Sequence, residues 1–591
     1  MKENILQKGV VFLQDLKRIF THLGPFKKEF VLCILLIIAE TAFELSIPLI
    51  MADIIDVGVQ NRDIYLIFQK GIQMGVCALL SLITGLLYAR YAARAALGFG
   101  AYVREAEFRK IQDYSFANLD HFEVSSLITR MTTDITVMQN AITNGIRPMI
   151  RGPVALIIGL FLAFWMNAAL ALVFVVCIPI LACVLFFIVK KVAPLYTKLQ
   201  LCMDRVNAVI QENLTAIRAV KAFVREDYEE RYFDEANRAL ADTSRTTFHF
   251  AVLNLPAFQL TMYTSIVLIL WFGGNLVQTG GLKVGILTGF LSYVMQIINS
   301  LMMISNVFLM LTRSLASARR INQVFDEKST LSDPVDPVIA VSDGRIDFDH
   351  VFFKYKADAK EYTLSDITLH IRSGETVGII GGTGSSKSTL VQLIPRLYDV
   401  SQGCVSVGGK DVRAYSLEAL RDAVGIVLQK NVLFSGTIRE NLKWGREDAS
   451  DEELMKACRI ACADEFIAKF PDGLDTLLDQ GGVNLSGGQR QRLCIARTLL
   501  KHPKILIFDD STSAVDTATE GRIRAGLAGI PSMTKLIIAQ RITSVMHADK
   551  IIILDDGKIH AVGAHESLLA SSPIYQEIYE SQMKGIQEGG M

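Results

Sequence analysis

Nine consecutive residues, Gly381-Gly382-Thr383-Gly384-Ser385-Ser386-Lys387-Ser388-Thr389, follow the apolar stretch Thr376 to Ile380. Their types suit a phosphate group. Glycines let backbone N–H groups close around phosphate oxygens, and a helix starting here adds the favourable dipole of its N-terminus. Lys387 would reach the β- and γ-phosphates, and the Ser388 hydroxyl would ligate Mg²⁺. The strict spacing has glycine just before the lysine, where this chain has Ser386. Taken alone, the run also fits a plain glycine-rich strand–helix turn.

A second apolar stretch, Ile505 to Phe508, ends in two carboxylates, Asp509 and Asp510. Asp509 stands where an acid would hold Mg²⁺, directly or through water. Between the two stretches lies Leu485-Ser486-Gly487-Gly488-Gln489. With this run the chain resembles the ATP-binding cassette family, whose signature is LSGGQ. Four further elements match in order. Tyr355 stands where the family stacks an aromatic ring on adenine. Gln429 matches the Q-loop glutamine, which the resemblance places beside Mg²⁺ and the reacting phosphate. Ser513-Ala514-Val515-Asp516 matches the D-loop, and Gln540 occupies the switch loop. The resemblance implies ATP and Mg²⁺ as cofactors, with Ser388, Gln429 and Asp509 around the metal.

The membrane half agrees. Ser125 to Met138 and Glu212 to Asp227 resemble the intracellular loops of the family's exporter branch. In the family these loops end in short coupling helices, implied here near Asn118 to Phe122 and Thr215 to Phe223. The resemblance covers essentially the whole chain.

Three residues depart from the pattern of an active cassette. Where the family has Glu after the Mg²⁺ aspartate, this chain has Asp510, one methylene shorter. A general base must lie within hydrogen-bond reach of the attacking water. Gln540 replaces the switch histidine; it can donate a hydrogen bond but carries no charge. Ser386 is the third, and its effect stays open. One reading makes Asp510 a tolerated swap with modest activity. The other, which the combination with Gln540 favours, is a cassette that binds ATP well and hydrolyses it poorly. In the family, each site joins one chain's phosphate loop to the other chain's signature. An intact signature here implies a different half-exporter as partner, as in the heterodimeric bacterial multidrug exporters with one degenerate site.

These groups need elements to hold them. From Arg345 onward, strand-like runs alternate with helical patterns, the grammar of a mostly parallel α/β sheet. The strands expected include Thr376 to Ile380, Ala423 to Leu428, Ile505 to Phe508, Leu536 to Ile538 and Ile551 to Leu554. Before residue 315 the chain is dominated by long apolar runs. Six spans are expected: Val31 to Ile50, Ile72 to Tyr88, Val154 to Met166, Ala168 to Val189, Pro256 to Val277 and Val284 to Leu311. The third and fourth meet at a tight outer turn around Trp165, Met166 and Asn167. The polar intervals Ala92 to Pro148 and Lys190 to Asn254 are expected to be helices that leave the membrane and return. The fold class is therefore a membrane all-α six-helix exporter domain with long intracellular helical extensions, plus an α/β P-loop cassette. Expected boundaries are 1–30, a cytoplasmic amphipathic segment with no signal-peptide pattern; 31–325, the membrane domain; 326–344, a linker; 345–580, the cassette; and 581–591, a tail. Lys2, Lys8, Lys17, Arg18, Lys27 and Lys28 place the N-terminus in the cytoplasm, and an even number of spans returns the cassette there. The plasma membrane is the expected location.

The bulk composition fits. The chain has 591 residues, 51% of them hydrophobic, and 60 Lys+Arg balance 60 Asp+Glu. The mean hydropathy is +0.34. Nothing suggests a nucleic-acid partner. The nine cysteines imply neither a disulfide framework nor, at Cys458 and Cys462, a metal site. Glu40 and Glu44 lie four apart in the first span, on one helix face. They are candidates for a substrate cavity that attracts cations or for an ion pair within the bundle. Met295, Met302, Met303 and Met310 in the sixth span fit ordinary helix packing better than a guest-binding stripe. The lead reading is export of small amphipathic molecules, drug- or lipid-like. A dedicated lipid or peptide exporter working as a slow homodimer, and an ATP-gated regulatory or channel subunit, are the alternatives. A soluble cassette acting on ribosomes or DNA is excluded by the spans.

Overall fold

The computed structural model describes residues 24–510 and 515–588. It separates into two compact units. One comprises Met1–Gln112 and Val124–Asp326, the other Asp113–Glu123 and Glu327–Met591.

Among its described residues, the first unit contains 6 helices long and apolar enough to cross a membrane. The bodies of the spans are Lys27–Asp53, Ile64–Gln112, Ile146–Met166, Ala168–Thr215, Asn254–Gln278 and Val284–Asp326. At 1.5 Å per residue, the 49 residues of Ile64–Gln112 extend about 74 Å. A hydrocarbon core is about 30 Å thick, so the helix continues well beyond it, as its polar second half suggests. Ala168–Thr215 does the same, and Glu226–Ala251 returns beside it through Val206, Val209 and Ala236. The tight turn is made by Asn167. Its backbone leaves the helix (φ −161°, ψ 112°), and its side chain accepts from the Leu170 N–H at 3.0 Å, capping the next helix. At the start of the sixth helix, Asp56 accepts from the backbone N–H groups of Gly285 and Ile286. That carboxylate satisfies donors that the start of the sixth helix cannot pair internally.

Two acids are buried where the helical extensions meet. Asp134 is 1% exposed and accepts from Arg320 at 2.5 and 2.7 Å and from Ser317 at 2.9 Å. Glu107, near the far end of Ile64–Gln112 and so beyond the hydrocarbon, is fully buried. Neither of its carboxyl oxygens has a hydrogen-bond partner among the described residues. An anion in that setting costs more than a neutral side chain of the same shape. Glu107→Gln is therefore expected to hold or raise the thermal midpoint of the purified protein. Glu107→Lys is expected to lower it by several degrees, read by thermal unfolding in detergent.

The second unit is built on a 6-stranded sheet. Its order is Lys558–Gly563, Lys550–Asp555, Thr376–Ile380, Thr534–Ile538, Ile505–Asp509, Val424–Val427. All neighbours are parallel except the edge pair Lys550–Asp555 and Lys558–Gly563. Ile505–Asp509 is buried at every position, as a strand covered on both faces must be. A 4-stranded antiparallel sheet begins with Ile346–Phe353. The short helix Phe116–His121 belongs to this unit, close to where a coupling helix was expected. Ser115 and Asn118 form its capping box, and Asn118 donates to Glu327 and to the Lys328 carbonyl at 2.6 and 2.9 Å. Tyr398 donates to Asp120 at 2.7 Å, and Ala117 packs on the core of the unit. The second expected coupling helix is Ile217–Ala222, in the first unit.

Candidate nucleotide site

The strand Thr376–Ile380 lies between two parallel neighbours, so its carboxyl end delivers the loop Gly381 to Ser386 to the edge of the sheet. Gly381 has no room for a side chain: a Cβ would stand 1.9 Å from the Leu554 carbonyl oxygen. Ser386 has φ 70° and ψ 25°, the left-handed conformation, and the helix Lys387–Gln392 starts after it. This explains why glycine is expected there. The loop keeps its shape with serine, at a conformational cost of roughly 1 kcal/mol.

Lys387 folds its ammonium back onto the loop. It donates to the carbonyls of Gly381 and Gly382 at 3.0 and 2.7 Å and to Ser385 Oγ at 3.1 Å. Burial holds its pKa below the usual lysine range, with Asp510 and Asp509 opposing. Ser388 Oγ donates to Asp509 Oδ1 at 2.6 Å. Asp509 is 3% exposed. Burial pushes its carboxyl pKa up, the Ser388 bond opposes, Asp510 adds to the rise, and Lys387 opposes it. A hydroxyl and a carboxylate side by side are the hard oxygen donors that Mg²⁺ takes along with nucleotide phosphates. The pair fits that ion.

Asp510 is the meeting point of the other predicted residues. It too is left-handed, at φ 49°, and its N–H donates to the Ile538 carbonyl at 3.2 Å. Its Oδ2 accepts from the amide of Gln540 at 2.6 Å and from that of Gln429 at 3.3 Å. Gln429 is thus placed on Asp510. Tyr355 is half exposed, with its hydroxyl 2.9 Å from Thr389 Oγ1. Phe353 and Tyr398 meet its ring edge-on at centroid distances of 4.9 and 5.2 Å. Thr383 and Gly384 lie in the same loop, Gly384 with φ +86°.

The run Leu485 to Gln489 opens the helix Gly487–Leu499. Ser486 Oγ accepts from the Gln489 N–H at 3.3 Å, and Gln489 Oε1 accepts from the Ser486 N–H at 2.9 Å. This capping box fixes the first turn, while Leu485 is buried beneath it. Ser486 and Gly487 are exposed, so the positive end of the helix dipole is offered to the outside. Of the D-loop, Ser513 and Ala514 lie outside the described residues. Val515 is buried, and Asp516 accepts from the Thr519 N–H at 2.9 Å, capping Thr517–Ala528.

Residues 30–301 match the ABC transporter transmembrane region family, and residues 364–513 match the ABC transporter family. The chain is 38% identical over 573 residues to the uncharacterized ABC transporter ATP-binding protein YfiB of Bacillus subtilis (strain 168), which spans 96% of this chain and 98% of that protein. It belongs to the ABC transporter family. The chain is also 31% identical over 572 residues to the ATP-dependent lipid A-core flippase of Desulfotalea psychrophila, covering 96% of this chain and 99% of the flippase. Among solved structures, a bacterial Atm1-family ABC exporter with ATP bound superposes with a TM-score of 0.77 at 25% identity, covering 95% and 99% of the two chains. The protein is thus an ABC exporter half-transporter, multi-pass in the membrane, whose ATP-binding domain drives export. Half-transporters of this kind dimerise.

In the transporter's membrane unit, Glu40 and Glu44 are both ion-paired. Glu40 meets Arg147, and also Arg151 at 3.6 Å; Glu44 meets Arg151 at 2.5 Å. Two carboxylates face two guanidiniums, so the charge that would draw a cation is cancelled. Glu44 and Arg151 also line a cavity of about 240 Å³ with Thr41, Gln296, Asn299 and Met302. The arginines escaped the sequence reading, although their spacing of four mirrors that of the two glutamates. Cys458 and Cys462 are buried free thiols.

Proposed function

We propose that this half-transporter exports small amphipathic molecules, drug- or lipid-like, as the degenerate-site subunit of a heterodimer. Its phosphate loop holds one ATP at a site that fires slowly. Its signature, Ser486 to Gln489, completes a competent site on the partner. Bound Mg²⁺ would neutralise phosphate charge at Ser388 and Asp509; Lys387, freed from the loop carbonyls, would turn to the phosphates. The N-terminus and cassette lie in the cytoplasm.

The observation that carries this reading is the state of Asp510. Its carboxylate is a methylene shorter than the usual base. Its Oδ2 is taken by two amides, neither of which can carry positive charge. To serve an attacking water, the group must give up these donors and still reach. The lipid-like substrate class is supported by the likeness to a lipid flippase and by a charge-balanced cavity that mixes amides with Met302.

The test is assembly. Expressed with a half-exporter that has Glu and His at the positions equivalent to Asp510 and Gln540, the chain is expected to purify as a one-to-one complex with drug- or lipid-stimulated ATPase activity. A self-paired chain with brisk, transport-coupled hydrolysis would overturn the proposal.

A further inference from the structure

The switch loop is short of local support. The strand Thr534–Ile538 ends before Gln540, and the next helix, Ile542–Val545, has only four residues. Its first N–H groups have no partner within the helix. Arg541, at the capping position, makes no side-chain capping bond. The missing acceptor comes from far along the chain. Gln582 Oε1 accepts from the Ile542 N–H at 2.8 Å, and Gln582 Nε2 donates to the Gln540 carbonyl at 2.9 Å. One amide thus grips the backbone on both sides of Arg541. Its orientation is forced, because a flip would set N–H against N–H and oxygen against oxygen.

The helix that carries Gln582 is itself fixed. Pro573–Glu588 includes Tyr575, which is fully buried and lies 2.7 Å from His565 Nδ1 through its hydroxyl. Tyr575 packs in one cluster with Ile542, Val545 and Ile380, the last residue before the phosphate loop. Gln582 lies seven positions after Tyr575, on the same helix face. The anchored face therefore ends in an amide aimed at the switch loop. That loop in turn sets the Gln540 amide on Asp510.

We propose that Gln582 is a positioning residue for hydrolysis, acting as a cap supplied by a remote helix of the same chain that holds the switch-loop backbone, and with it residue 540, in place at the site. The proposal rests on the reading that Gln540 acts at the γ-phosphate end of this chain's own site.

The test uses the heterodimer in proteoliposomes, with the partner's catalytic glutamate changed to Gln so that only this chain's site reports, and with this chain in the wild type and in an Asp510→Glu/Gln540→His background. In each, Gln582→Ala is expected to lower kcat for ATP by about tenfold, the loss of two hydrogen bonds. KM for ATP and the thermal midpoint are expected to hold. Amide exchange at Ile542 is expected to quicken. Gln582→Glu keeps the acceptor for Ile542 but sets a carboxylate against the Gln540 carbonyl. It is expected to restore protection at Ile542 while kcat stays low. An unchanged kcat in Gln582→Ala, or kcat, affinity and thermal midpoint falling together, would overturn the proposal. The effect is a ratio within each background. A briskly hydrolysing wild type would sink the degenerate-site reading and still leave the Gln582 ratio readable.

Discussion

Asp510→Glu combined with Gln540→His raises ATP turnover at this chain's own site by about 10²-fold or more. The assay is steady-state hydrolysis by the heterodimer, with the partner's own catalytic glutamate changed to Gln so that only this site reports. The gain has two sources. A glutamate carries its carboxylate one methylene past the position where Oδ2 now accepts from Gln540 and Gln429. A histidine at 540 supplies a group that can take a proton near neutral pH, which an amide cannot. The strand register that places both positions, with Ile538 opposite Asp509, is unaffected by either change. Each single change is expected to recover only part of the gain, since a base without its orienting partner, or the reverse, is incomplete. If the double variant is as slow as the parent, the defect lies elsewhere, with Ser386 the first suspect.

Removing both Arg147 and Arg151 destabilises the membrane unit by about 3–5 kcal/mol. The reason is that Glu40 is the buried member of the network. Its side chain is 6% exposed, whereas that of Arg147 is 42% exposed. Its Oε2 has no partner among the described residues. With both guanidiniums gone, a carboxylate is left in a low-dielectric bundle with nothing to compensate it. Adding Glu40→Gln to the same variant is expected to recover more than half of the loss, because the uncompensated charge is then absent. Arg147→Ala alone is expected to cost less, since Arg151 still lies 3.6 Å from Glu40. Thermal unfolding in nanodiscs of the parent, Glu40→Gln, the double arginine variant and the triple variant forms a double-mutant cycle, and Arg147→Ala measured beside them checks the third statement.

Much of this architecture was legible because local signals and global fold agree. The strand Thr376–Ile380 was read to the residue, since a short apolar run that meets consecutive glycines has few other uses. The turn at Asn167 was equally plain: an interfacial Trp and a good capping residue interrupt two apolar runs. The long polar intervals read as helix because they are rich in helix formers and poor in glycine and proline. What stayed hidden depends on partners remote in sequence. Glu40 and Arg147 are 107 positions apart, and Gln540 and Gln582 are 42 apart. No periodicity links them, and each is individually an ordinary polar residue. Glu107 sits in an interval that reads as polar, and its burial shows only in the folded chain. Ser386 was legible as a departure, but its left-handed backbone was not, so its compatibility with the loop became visible only in three dimensions.

In the proposed heterodimer this chain keeps its ATP while lending its signature to a site that hydrolyses the partner's. The direct measurement is photolabelling of the purified heterodimer with 8-azido-ATP during turnover, in parallel with α- and γ-phosphate labels. This chain is expected to retain both labels equally after many turnovers of bulk ATP, while the partner loses the γ-label. Rapid loss of the γ-label from this chain, at the partner's rate, would contradict it.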